Sequence, residues 1–405
     1  MSHKNKVKLN HPLLLILGIM LIASTLRAPI TGVGPILDFI SKDLGLSPTF
    51  AGFITTLPLI AFAVFSPVSS GVARKVGLEP ALMFALVVIS LGIILRSLGA
   101  VTMLYLGTLL IGIGIGIAFG NVLLPSLLKR DFPHKVTTLT SMYVLMMGVA
   151  STFSASAAYP IMDWATKWHI DQIPHWGLSL ASVLIFPVLA IVLWLPQVHQ
   201  HTRPTADTTT LEGHHYLWRT LAAWQITAYL ALNSFMMYIF VSWLPSILLE
   251  KGYSENEAGV LHGVLQLATA VPALVLIPLM ARMKDKRGLS SMISACAALG
   301  LIGLMLLPQL AVVWVIAIGF SLGGGFILSL SFVGLRTHDA HQAAALSGMA
   351  QCVGYLFAAT GPMIFGFLHE SFHSWQEPLI FLFAISLVWT GIAFIAGKPQ
   401  MIKTR

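Results

Sequence analysis

The chain has 405 residues, of which 57% are hydrophobic and 9% charged, with a net charge of +8; soluble domains carry roughly a quarter charged residues, so a water-soluble enzyme or nucleic-acid-binding domain is excluded. Apolar runs exceed the roughly 20 residues that carry an α-helix across a bilayer. Alternating strands of about ten residues are absent, which excludes a transmembrane β-barrel.

Twelve membrane-crossing helices are predicted, at about 12–36, 48–71, 80–100, 102–128, 136–160, 176–196, 220–248, 256–281, 288–307, 309–335, 342–368 and 377–397. The basic stretch "MSHKNKVKLN" precedes a run too long for a secretory signal, so the first run reads as a retained helix. With the N-terminus placed inside, the outer loops hold Lys42, Lys167 and Lys251, and most other basic residues fall in inner loops. That asymmetry orients the chain with both termini cytoplasmic. Every acidic residue is expected in a loop or at a helix end.

The first helix contains "TLRAPITGVGP", and Arg27 is the only charged residue between His11 and Asp38. At 1.5 Å per residue it lies about 22 Å and 16 Å from the two ends of that run, too deep to snorkel. A buried guanidinium is costly without a partner, and no carboxylate is expected inside a helix to supply one. An anion or strong acceptor would fit its planar fork; the competing reading is a structural bond to helix-end carbonyls and water. Pro29, Gly32, Gly34 and Pro35 suit a thin, kinked wall lining a cavity.

Arg96 sits near the outer end of the third helix, where snorkelling is possible, and reads as a structural or interfacial residue, with a secondary basic site as the alternative. Asn121 in the fourth helix and Tyr143 in the fifth are candidate substrate contacts. "GIGIGIAFG" and "SLGGG" lack a βαβ context and read as helix-packing surfaces, not nucleotide loops. Next comes the polar segment "QVHQHTRPTADTTTLEGHH". Its His199, His201, His214 and His215 read as a solvated linker and not a metal site.

This segment divides the chain into 1–196, an N-terminal six-helix bundle; 197–219, a cytoplasmic linker; and 220–405, a C-terminal six-helix bundle. "LLKRDFPHKVTTLTSM" and "VGLRTHDAHQAAALSGM" correspond at an offset of about 207, as do "VARKVG" and "ARMKDKRG" at their own positions. The expected fold is therefore an all-α integral membrane protein of two pseudo-symmetric bundles with a midplane site between them.

In the second half, Arg27 maps near Asn233 and Ser234, so Asn233 and Tyr238 are candidate cavity residues, with interhelical bonding and core packing as alternatives. Trp243 reads as a belt residue or a cavity lid. His262 and Gln266 share a helix face at i, i+4, as do Gln351 and Tyr355. His262 is the candidate proton carrier, unless it is a buried neutral histidine satisfying a neighbour. Cys296 and Cys352 lack CxxC spacing and imply neither a disulfide nor a metal.

"LRAPITGVGP", "GNVLLPSLLKRDFPHKV", "WLPSIL", "LHGVLQLATAVP" and "AHQAAALSGMAQCVGY" resemble the cyanate and 2-nitroimidazole transporter family of the major facilitator superfamily. "LNSFMMYIFVSWLP" and "LHGVLQLATA" place the resemblance nearer its 2-nitroimidazole branch. The resemblance implies a secondary transporter of the bacterial inner membrane, moving a small anion or azole by alternating access. A broad-specificity drug exporter is the alternative. One departure is "ARKVG", where Arg74 stands at the superfamily's usual acidic position, so the gating role of that aspartate does not carry over. Small-molecule substrate and lipid are the implied partners of a monomer; no cofactor, metal, nucleic acid or catalytic constellation is implied.

Overall fold

A computed structural model of the chain describes residues 12–119, 131–132, 136–170, 172–200, 215–338 and 340–402. The helices before the linker are α1 (Pro12–Thr31), α2 (Leu37–Leu44), α3 (Pro48–Val76), α4 (Leu78–Arg96), α5 (Val101–Phe119), α6 (Val136–Lys167), α7 (His175–Ser182) and α8 (Ile185–Trp194). Those after it are α9 (Leu221–Glu250), α10 (Glu255–Ala268), α11 (Pro272–Arg282), α12 (Arg287–Leu306), α13 (Ala311–Arg336), α14 (Ala340–Phe372) and α15 (Gln376–Ala396). Among the described residues eleven stretches are long and apolar enough to span a membrane, and Val101–Gly116 adds a shorter apolar helix. Many of the large apolar side chains left exposed, such as Leu221, Leu274 and Leu306, lie on these segments, where the solvent is lipid.

Among the described residues three predicted spans are broken, the sixth only briefly, between Ser182 and Ile185. The first ends as a helix at Thr31, tightens into a 3-10 turn at Gly34–Ile36 and resumes as α2, which stops at Gly45 in the left-handed region (φ 64°). Pro29 inside α1 and Pro35 in the turn remove backbone donors from the ladder at this point. The eighth span stops at Ala268 and restarts at Pro272, a residue whose fixed φ suits a first helical turn. By contrast, the start of α10 is closed by a capping box in which Ser254 and Glu257 satisfy each other's backbone N–H groups.

Helices from either side of the linker meet near the ends marked by residues 44–48, 250–255 and 372–376. Ser242 Oγ donates to Thr55 Oγ1 (2.7 Å), Thr56 Oγ1 to the Ala359 carbonyl (2.6 Å) and Thr49 Oγ1 to Glu370 (2.6 Å). Thr152 Oγ1 adds a bond to the Gly263 carbonyl at 3.1 Å. We call this end the closed face and the opposite end, which carries residues 195–200 and 215–219, the linker face.

Candidate functional site

Arg27 lies one turn before the end of α1, where the helix is about to break. Its Nη1 donates to Thr269 Oγ1 at 3.1 Å and its Nη2 points at Met237 Sδ at 3.9 Å. Both partners come from beyond the linker: Met237 from α9, and Thr269 from the break between α10 and α11. Among the described residues no carboxylate pairs with the guanidinium. A hydroxyl and a thioether are weak partners for five N–H donors of fixed geometry, and the side chain remains partly exposed. The fork can therefore accept a further oxygen acceptor without losing an ion pair.

Tyr238 and Tyr355 stand close enough to Arg27 to interact with its charge. Their rings meet edge to face with centroids 6.3 Å apart, and Phe62 meets Tyr355 the same way at 4.7 Å. Thr269 Oγ1 in turn donates to the Gln266 carbonyl at 2.7 Å. One turn back on α10, the Gln266 amide and His262 Nε2 are 3.0 Å apart. His262 is wholly buried, with its ring against Gly34: a Cβ there would lie 2.8 Å from His262 Cε1 and would collide with the Val241 carbonyl. The arrangement is a polar chain from Arg27 through Thr269 to Gln266 and His262, walled by three aromatic rings.

Of the residues expected from sequence, the structure brings together Arg27, Tyr238, Tyr355, His262 and Gln266. Asn233, one turn from Met237, instead directs its Oδ1 at Gly325 of α13 beside Trp389, so the residue opposite Arg27 is Met237 and not the amide. Gln351 donates to Ser347 Oγ at 2.9 Å on its own helix. Tyr143 packs against the cluster formed by Leu15, Ile19, Leu26 and Leu139. Asn121 lies outside the described residues.

Arg96 does not snorkel. It is 2% exposed, and its Nη1 donates to the Pro29 carbonyl at 2.7 Å, two residues from Arg27. Both the Arg96 end of α4 and the Pro29 end of α1 are helix C-termini, where partial negative charge favours a cation. A cavity of about 10 Å³ lined by Pro29, Thr55, Thr108 and Arg96 adjoins it, enough for about one water. Arg96 thus anchors the end of the helix that carries Arg27. Sequence reasoning missed Thr269 and Met237; the signal for Thr269 was "LATAVP", a helix break inside an apolar segment.

A multi-pass helical membrane protein with a polar, arginine-bearing chain between its two halves is built for handling small solutes, and comparison with known proteins agrees. The Major Facilitator Superfamily profile matches residues 14–359. The 2-nitroimidazole transporter of Escherichia coli K12 is 42% identical over 403 residues, covering 100% of this chain and 98% of that protein. The cyanate transport protein CynX of the same organism is 27% identical, covering 88% and 90%. The crystal structure of a D-xylose-proton symporter superposes with a TM-score of 0.76 at 13% identity, covering 96% of this chain and 99% of that one. The chain belongs to the Major Facilitator Superfamily and is a secondary transporter of small solutes.

Proposed function

We propose that this transporter moves a small anion or nitro-bearing azole, held at Arg27, across a bacterial inner membrane by alternating access, with the linker face cytoplasmic. The observation that carries the reading is the Arg27 fork, supported by Thr269 and Met237 and, among the described residues, without a carboxylate. An oxyanion or nitro group accepts from such a fork in bidentate geometry. The ring of a planar solute packs against Tyr238 and Tyr355, face to one and edge to the other. Two relatives named for transport of 2-nitroimidazole and cyanate support this substrate class. The orientation follows from charge: Arg282, Lys284, Lys286 and Lys398 lie toward the linker face, whereas Lys42, Lys167 and Lys251 lie toward the closed one.

In this reading the bundles are residues 1–196 and 220–405, rocking about the Arg27 site while 197–219 tether them. His262 is the proton-coupling candidate, and it gains access to water only when the contact with Gly34 parts. A thermal-shift screen of the purified protein against cyanate, nitrate, nitrite, small carboxylates and 2-nitroimidazole tests the assignment. A charge-assisted hydrogen bond contributes about 1.5 to 3 kcal/mol, so Arg27→Ala should weaken binding of the hit by about tenfold or more. Retention of transport by both Arg27→Ala and Arg27→Lys would sink the arginine-site reading.

A further inference from the structure

A second cavity, of about 290 Å³, lies on the closed face, away from Arg27. It is lined from before the linker by Asp38, Ser41, Lys42, Leu46 and Pro48, and from after it by Trp243, Ser246, His369 and Trp375. Asp38 sits here because the first span breaks at Thr31 and resumes as α2, which turns its first residues toward α9 and α14. Volume alone puts the cavity near the lower limit for small-molecule sites.

The lining chemistry narrows the occupant. Asp38 and Lys42 stand one turn apart on α2, so an acceptor and a donor lie side by side on one helix face. Ser246 faces Asp38 from α9, and His369 faces it from α14. Trp243 and Trp375 form the apolar wall, with ring centroids 5.1 Å apart. His369 lies flat on Trp375, centroids 3.9 Å apart, and its buried Nδ1 has no protein partner among the described residues. One fixed charge of each sign favours a neutral dipolar molecule over a free anion or cation. The indole wall favours a flat ring.

We propose that this cavity is a second binding site, for a small neutral azole whose ring N–H donates to Asp38 and whose ring nitrogen accepts from Lys42. The lining residues come from both sides of the linker, so the site is whole only while this face is closed. A ligand that binds one state alone shifts the equilibrium toward it. Occupancy therefore holds the closed face shut and slows turnover, a consequence that rests on the alternating-access reading above.

Pyrazole, neutral and bearing adjacent donor and acceptor nitrogens, is the probe, with 1-methylpyrazole as the control lacking the N–H. In thermal-shift titrations of the full chain, pyrazole should stabilise wild type and Arg27→Ala alike, and 1-methylpyrazole should not. Asp38→Asn should weaken pyrazole binding about tenfold or more, the worth of a charge-assisted hydrogen bond, and Lys42→Met, at an exposed position that folding tolerates, should weaken it too. Equal pyrazole binding by Asp38→Asn and Lys42→Met, or its loss in Arg27→Ala, overturns the site. Pyrazole should also slow maleimide labelling of Ser242→Cys, which is buried behind the closed face; an unchanged rate overturns the state dependence. If no Arg27 ligand is transported while the Asp38-dependent stabilisation persists, the transport reading fails and the site stands.

Discussion

Gly34→Ala is the sharpest test of how the closed face is held. Gly34 occupies the 3-10 turn after α1, and any Cβ there would collide with the Val241 carbonyl and stand 2.8 Å from His262 Cε1. Ordinary carbon contacts are about 3.5 to 4.0 Å, so α9 and α10 must retreat from the turn or the turn must shift. Overpacking of this kind costs about 1 to 3 kcal/mol. Parting of the halves on this face relieves the clash, so the cost falls on the closed state. The open population should rise about 5- to 150-fold. The assay is labelling of Ser242→Cys by a membrane-impermeant maleimide, with Cys296 and Cys352 replaced by serine. Ser242 is wholly buried and bonded to Thr55 across the two halves, so its labelling reports opening. A folded Gly34→Ala protein that labels at the parental rate would refute the reasoning.

Three further outcomes follow from the same geometry. Thr269→Val removes the hydroxyl that occupies Arg27 Nη1, so a bound oxyanion no longer competes with it; affinity in calorimetry should rise by up to about tenfold, an upper value set by the net worth of one hydrogen bond to a charged group, and weaker binding would contradict this. At Arg96, a lysine keeps a buried charge without the reach to the Pro29 carbonyl, whereas methionine removes the charge. Arg96→Lys should therefore lower the thermal midpoint more than Arg96→Met, and the reverse order would discount the anchoring bond. Ser254→Ala opens the capping box of α10 and should cost about 0.5 to 2 kcal/mol in stability, with no change in ligand affinity at Arg27; a large affinity change would show that the cap and the site are coupled.

Arg27 and its aromatic neighbours were legible in the sequence because a charge in an apolar run is rare and expensive, whatever surrounds it. The break at "LATAVP" was equally present, yet Thr269 was not singled out, because a hydroxyl carries no comparable penalty and gains meaning only from what faces it. Internal symmetry pointed from Arg27 to Asn233, and the packing of Gly325 and Trp389 turned that amide elsewhere. One turn of helix, four residues, separates the expected partner from Met237. For Arg96, position near a helix end allows snorkelling and a structural role alike, because distance along one helix does not say what lies beside it. The end of α1 lies beside it, and a carbonyl freed at Pro29 gives the guanidinium an inward partner.

The sequence by itself determined that the chain is helical and membrane-spanning, because lipid tolerates few backbone arrangements and marks each with long apolar runs. It also determined that Arg27 needs a partner, since the cost of a buried charge does not depend on fold. Only the tertiary structure decided which groups meet that arginine, that Arg96 points inward, and that Asp38 faces a cavity built by both halves. Those contacts join residues at least 67 positions apart, and their geometry depends on where proline and glycine break the spans and how the helices then pack.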